Sequence, residues 1–292
     1  MQCVSVDRRQ VLRGALGLAS LGLCAAGCAR QERKSEVNAA ERFPYGEDPA
    51  QFAELSRPEA PSRGVVVIIH GGYWKAAYDL SLGRPLAEDL AARGWTVWNL
   101  EYRRVGEGEG GGGGVPTTLD DVAAGIDALA DVPDLDLSRV IAVGHSAGGH
   151  LAAWAAARSR FSRWSPQRVP LTHVIAKAGV LDLGSAYRAG LGSGAVAGFV
   201  GGPPGPSYDE IDPIRQVPLK VPIWCVHGED DTTVPISQSE SYVARARRAG
   251  ARAELVSFPG DHFELIDPSS QAWALVVGIL DALAADAESR GD

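Results

Sequence analysis

Cysteine is scarce in this chain, and its placement excludes more than its count does. Of four cysteines, Cys3, Cys24 and Cys28 fall near the N-terminus and only Cys225 remains in the body. A body with one cysteine forms no internal disulfide. Cys225 stands in an apolar run and reads as a small buried hydrophobe. No Cys/His spacing suggests a structural zinc site. Positive charge is also in deficit, with 28 Lys and Arg against 36 Asp and Glu and a net charge of −8. An acidic surface argues against nucleic acid as a partner. The glycine tract Gly106 to Gly114 lacks the Gly-Lys-Ser/Thr ending of a phosphate loop and does not pass from strand directly into helix, so it reads as a mobile surface loop. No propeller and no large cap domain accompany the body, which weakens a peptidase reading.

A durable membrane span is missing as well. The apolar stretch from Val11 to Ala29 is interrupted by Arg13, Gly14, Gly17, Gly22 and Gly27. Preceded by Arg8-Arg9, it reads as an export signal of the twin-arginine type rather than an anchor helix. Ala25-Ala26-Gly27-Cys28 is similar to a lipoprotein cleavage box, with Ala25 where Leu is usual. Lipidation at Cys28 is therefore expected, and a plain cleaved signal or an uncleaved anchor is the alternative. Residues 1–28 are taken as the signal and residues 29–60 as a tether and lead-in. Residues 61–287 are then the folded domain, with a core of ordinary size.

In that domain, apolar β-branched runs alternate with helix-like segments. Strands are expected over 64–70, 95–102, 140–143, 174–181, 221–227 and 253–258. Helices are expected over 80–93, 117–130, 237–250 and 269–285, with another after residue 148. The continuous run Val65-Val66-Val67-Ile68-Ile69 implies burial on both faces. The alternation specifies an α/β fold with a mostly parallel central sheet flanked by helices. Residues 184–218 are rich in Gly and Pro and form the one candidate cap segment.

The chemistry centres on Gly144-His145-Ser146-Ala147-Gly148, a turn between a strand and a helix that carries a central serine. Glycines at 144 and 148 remove the Cβ atoms that would collide in so tight a bend. A serine hydroxyl needs a base to take its proton and a carboxylate to orient that base. His262 follows the last strand and is the candidate base. Asp231 follows the strand before it and is the candidate orienter, with Asp230 beside it as rival. An oxyanion formed on attack needs preorganised N–H donors, and Gly71, Gly72 and Ala147 are placed to supply them. Tyr73 and Trp74 are candidate pocket residues, with support of the loop as the alternative for Trp74, and Tyr187 and Phe199 could add an apolar wall. His70 and His227 read as loop braces, His145 and His150 flank the turn, Glu229 faces solvent, and Asp182 reads as a turn or cap residue.

Four motifs in order give a resemblance. His70-Gly71-Gly72-Tyr73-Trp74, Gly144 to Gly148, His227-Gly228-Glu229-Asp230-Asp231-Thr232-Thr233-Val234-Pro235 and Asp261-His262-Phe263 resemble those of α/β-hydrolases of the kynurenine formamidase and small carboxylesterase (BD-FAE-like) group. The resemblance spans about residues 60 to 285 and implies an α/β-hydrolase fold with a small Gly/Pro-rich cap. Its motif register selects Asp231 over Asp230. It implies a hydrolase for small carboxylic esters or formamides, working through Ser146, His262 and Asp231, with no metal or organic cofactor. The partner implied is a small-molecule ester or amide, and an N-terminal lipid would tether the domain outside the cytoplasmic membrane. The Gly106 to Gly114 insert and the export signal depart from the formamidase pattern. A non-catalytic lipoprotein that kept the fold is the competing class.

Overall fold

The computed structural model describes residues 40–288. The expected signal, with Arg8, Arg9 and Cys28, lies outside the described residues. In chain order the elements are β1 (Glu41–Pro44), β2 (Phe52–Ser56), β3 (Val65–Ile69), α1 (Arg84–Ala92), β4 (Thr96–Leu100), α2 (Thr117–Asp127), β5 (Val140–His145) and α3 (Ala147–Ala157). They continue with β6 (His173–Lys177), α4 (Leu183–Arg188), α5 (Leu191–Val200), β7 (Ile223–Gly228), α6 (Ser237–Arg248), β8 (Ala253–Phe258) and α7 (Gln271–Glu288).

The eight strands form one sheet in the order β1-β2-β4-β3-β5-β6-β7-β8. From β4 to β8 every pairing is parallel, while β1 and β2 add an antiparallel edge. That edge corrects the lead-in reading. Residues 41–44 and 52–56 belong to the sheet, with Ala53 paired to Leu100. The short apolar content of these strands hid them, because an edge strand needs only one buried face.

All five residues of β3 are buried. Val65, Val67 and Ile69 join the core with α2, α3 and α6, and Val66 and Ile68 join the core with α1 and α7. Period-two alternation thus feeds two helical layers, and each buried aliphatic side chain contributes about 1.5–3 kcal/mol by leaving water. Cys225 is buried and free.

The cap departs from expectation. The Gly- and Pro-rich composition of residues 184–218 shows no long periodicity, yet the short helices α4 and α5 occupy their start. Glycine permits this rather than preventing it. Gly192, Ser193 and Gly194 all hold left-handed backbone inside α5, so the segment is kinked and no long lid forms. Asp182 serves as the N-cap of α4, its carboxylate accepting from Ser185 N at 2.7 Å.

The glycine insert is not free either. Arg104 N donates to Gly110 O at 2.7 Å and Gly113 N donates to Arg104 O at 2.7 Å, so the loop folds back on the strand end that launched it. Its low complexity concealed these backbone bonds, which no side chain announces.

Candidate active site

The sheet reverses direction at β3, with β4 on one side and β5 on the other. Ligands of open α/β sheets bind at such a switch point, beyond the carboxyl ends of the strands. There β3 delivers the His70–Trp74 loop, β5 delivers Ser146, β7 delivers Asp231 and β8 delivers His262.

Ser146 has φ 56° and ψ −118°, a conformation that costs a non-glycine residue about 1–3 kcal/mol. The surroundings enforce it. Ser146 N donates to Lys177 O at 2.8 Å, and Ser146 O accepts from Gly149 N and His150 N as α3 begins. A Cβ on Gly144 would overlap Gly148 O, and one on Gly148 would overlap Ile69 O. No other residue type fits either place. A Cβ on Gly71 would stand 3.1 Å from the Ser146 Cβ, so the glycine loop lies directly against the serine. Among the described residues, the N–H groups of Gly72 and Ala147 donate to no protein acceptor outside regular helix and strand bonding. Ala147 is the first residue of α3, where the N–H has no intrahelical acceptor.

The Asp231 carboxylate is buried and fully engaged. Oδ2 accepts from His262 Nδ1 at 2.6 Å and lies 3.3 Å from His227 Nε2. Oδ1 accepts from Thr233 N and Val234 N, each at 2.8 Å. Burial works to raise its pKa, but the bonds from His227, His262 and Val234 prevail and hold it well below the usual carboxylate range. His227 is itself fixed. Its Nε2 donates to Val234 O at 2.8 Å, and the Ser239 hydroxyl meets Nδ1 at 2.7 Å. Asp230 is exposed, as is Glu229. The His262 ring is 3 % exposed and meets the edge of Phe263, which is 60 % exposed.

Of the expected pocket residues, Tyr73 is half-buried and Trp74 is fully buried. Tyr73 is half-buried, and burial together with the fields of Tyr78 and Asp231 raises its phenol pKa. Its ring stands against Gly192 of the cap. Trp74 is fully buried, stacked on Phe199 at 4.5 Å and edge-on to His150 at 5.3 Å. It therefore packs inside the core beneath the loop, the supporting role rather than the wall. Phe199, 1 % exposed, is likewise core rather than wall. Tyr187 is half-buried on the cap. A groove of about 820 Å³ lined by Arg139, His173, Trp224 and Arg252 lies at the opposite, amino-terminal ends of the strands.

Sequence reasoning missed the supports. His145 Nε2 donates to the carbonyl oxygen of His262 at 3.0 Å, and Lys177 Nζ donates to Leu265 O at 2.9 Å. Burial lowers the Lys177 pKa to about 7. Glu101 sits 3.1 Å from His70 Nε2. The one signal for Glu101 was its position, a lone carboxylate directly after the buried strand Thr96–Leu100.

Sheet order, elbow and loop placement together define an α/β-hydrolase fold. The BD-FAE family model matches residues 55–245, and the chain belongs to that family. Esterase LipC of Mycobacterium tuberculosis is 28% identical over 263 residues, covering 80% of this chain and 63% of that protein. The probable isoprenylcysteine alpha-carbonyl methylesterase ICME of rice (Oryza sativa subsp. japonica) is 25% identical over 236 residues, covering 74% of this chain and 56% of that protein. The chain thus spans about 56–63% of the length of these two relatives. Kynurenine formamidase of Drosophila melanogaster is 25% identical over 232 residues, covering 75% of this chain and 71% of that protein. Among solved structures, esterase B of Lactobacillus rhamnosis bound to a tributyrin phosphonate has a TM-score of 0.72 at 21% identity, covering 86% of this chain and 88% of that one. Esterase 2 of Thermogutta terrifontis phosphonylated by sarin has a TM-score of 0.69 at 23% identity, covering 86% and 96%.

Proposed function

We propose that the chain is a serine carboxylesterase for short acyl esters or small formamides. The observation that carries this is the 2.6 Å bond between Asp231 and His262, with His262 tied through its carbonyl to His145, the neighbour of the strained Ser146. In this reading His262 Nε2 takes the Ser146 proton as Oγ attacks the carbonyl carbon. Asp231 fixes the Nδ1–H tautomer and stabilises the imidazolium that forms. The N–H groups of Gly72 and Ala147, with Gly71 shaping the loop, meet the oxyanion. Collapse expels the alcohol or amine with the proton from His262 and leaves an acyl-Ser146 ester. Water, deprotonated by His262, then releases the acid. The chemistry calls for no metal or organic cofactor.

The kinked, glycine-rich cap supports small substrates, since its two helices, of 6 and 10 residues, make no long rigid lid among the described residues. The relatives' names, two esterases and a formamidase, support ester or formamide cleavage. A p-nitrophenyl ester series from acetyl to dodecanoyl, with N-formylkynurenine alongside and Ser146→Ala as control, tests the reading. The specificity constant should peak between acetyl and butyryl. A peak at dodecanoyl overturns the size assignment, and absence of turnover with all substrates favours the non-catalytic class. The sequence also supports export with lipid attachment at Cys28. Mass spectrometry of the mature N-terminus tests that, and an intact Met1 in the cytosol overturns it.

A further inference from the structure

Glu101 is buried at 3 % exposure, and its carboxylate gathers donors from three directions. Oε2 accepts from Leu80 N at 2.9 Å, and Oε1 accepts from Tyr102 N at 2.9 Å. Oε1 also takes the Arg104 Nη1 and lies 3.1 Å from His70 Nε2. His70 is the residue from which the glycine loop departs. Its Nδ1 is 2.8 Å from Gly71 O, and its own carbonyl accepts from the Tyr102 hydroxyl at 2.7 Å. The His70 and Tyr102 rings stack at 4.4 Å. Burial, with the Arg104 charge nearby, pushes the His70 pKa down to about 3, so the ring is neutral and sits with its two nitrogens between Gly71 O and Glu101. His70, at the root of the glycine loop, is thus held to Glu101 through its side chain and to Tyr102 through its backbone.

The clamp has a second end. The Arg104 guanidinium lies between Glu101 and the glycine insert. A Cβ on Gly110 would overlap Arg104 Nη2. Backbone bonds of Arg104 with Gly110 and Gly113 fix the insert onto the same residue. Val105 N donates to Trp74 O at 2.7 Å, and Ala76 N donates to Val105 O at 2.9 Å, so the strand end also grips the far side of the glycine loop. An insert that neither the resemblance nor the proposed chemistry accounts for is therefore in register with the oxyanion donors.

We infer that Glu101 is a positioning residue for the oxyanion site, holding His70 and with it the Gly71–Gly72 amides, and that the glycine insert sets Glu101 by seating Arg104. This rests on the esterase reading, because it matters only if an oxyanion forms beside Ser146. Amides displaced from the oxyanion cost transition-state binding and leave ground-state binding in place.

The test compares Glu101→Gln, Gly110→Ala and Gly108→Ala on p-nitrophenyl acetate, with a trifluoromethyl ketone as oxyanion mimic. Gly110 and Gly108 have φ of 70° and 83°, so alanine brings the same left-handed strain to each. Only Gly110 adjoins Arg104, and nothing lies within 4 Å of a Cβ on Gly108. Glu101→Gln should lower kcat about 10-fold or more, with KM within about threefold. Affinity for the ketone should fall in parallel with kcat. Gly110→Ala should repeat the pattern at about three- to tenfold, and Gly108→Ala should match the wild type. Gly110→Ala keeps the test decisive if Glu101→Gln fails to fold, because it acts through Arg104 and leaves the Glu101 carboxylate with its bonds from Leu80 N and Tyr102 N. Wild-type kcat in a folded Glu101→Gln or in Gly110→Ala overturns the inference alone. Loss in Gly110→Ala that appears in KM but spares ketone affinity also overturns it. A wild-type protein that neither turns over ester nor binds the ketone overturns the esterase reading and this inference with it.

Discussion

His145 reaches across from the elbow and donates from Nε2 to the main-chain oxygen of His262 at 3.0 Å. The residue before the serine thus holds the loop of the proposed base, and the two rings lie 4.5 Å apart. Burial first, then the charges of His262 and Lys177, lower the His145 pKa well below its ordinary value. The ring therefore stays neutral and keeps one N–H for this bond. His145→Leu removes the donor and should lower kcat about 10-fold, by analogy with other misplaced bases. His145→Gln can still donate from its amide and should recover most of the rate. Equal losses in the two variants would show that the ring's shape, and not its N–H, matters.

The neighbouring carboxylates Asp230 and Asp231 differ in every physical respect. Asp231 accepts from four groups in the buried loop, while Asp230 projects into solvent. Asp231→Asn loses the charge opposite the imidazolium and should cost about 10³- to 10⁴-fold in kcat. Asp230→Asn should stay within about threefold of wild type. Steady-state kinetics on one short ester decide it, and the reverse ranking would move the orienting role to Asp230.

Much of this was legible in the sequence, for reasons that can be stated. The β-branched run of Val65 to Ile69 and the glycines at 144 and 148 are local signals, because each residue's conformation depends on its own side chain. The loops holding Asp231 and His262 were legible because strand and turn chemistry flank them. The supports were not. Glu101 contacts His70 across 31 positions and His145 contacts the His262 carbonyl across 117, and neither distance leaves a local pattern. Trp74 reads as an exposed pocket aromatic only until Phe199 stacks on it. The edge strands β1 and β2 pair through backbone groups, which composition does not register.

Asp212 supplies a pH test of stability. It is buried, accepts from Leu183 N at 3.0 Å, and lies 3.6 Å from Arg215 Nε. Burial outweighs these bonds and raises its pKa to about 6. A folded-state pKa above the unfolded one means that its contribution is complete below about pH 4 and is lost as pH rises through about 6. The loss is on the order of 3 kcal/mol at 1.36 kcal/mol per unit. Asp212→Asn keeps the shape and an acceptor oxygen without the charge. Denaturant unfolding at pH 4, 5, 6 and 7 should show a flatter profile for the variant than for wild type. Parallel profiles would place the carboxyl's titration elsewhere.

The cap meets the site through Gly192. A side chain there would overlap the Tyr73 ring, and its backbone is left-handed at φ 62°. Lys75 Nζ donates to Gly192 O at 3.3 Å, tying the cap to the loop that carries Tyr73. Gly192→Ala must displace either the Tyr73 ring or the cap. In the proposed reading Tyr73 flanks the serine pocket and takes no part in the proton transfers, so the change should fall on substrate fit. KM for butyryl ester should rise about three- to tenfold and kcat should change by less than about threefold. The strain adds about 1–2 kcal/mol of destabilisation, visible as a lowered Tm. Acetyl ester, with two fewer carbons to accommodate, should be affected less than butyryl. If both esters lose kcat equally with KM unchanged, Tyr73 is not part of the acyl wall, and the displaced loop has instead disturbed the oxyanion amides.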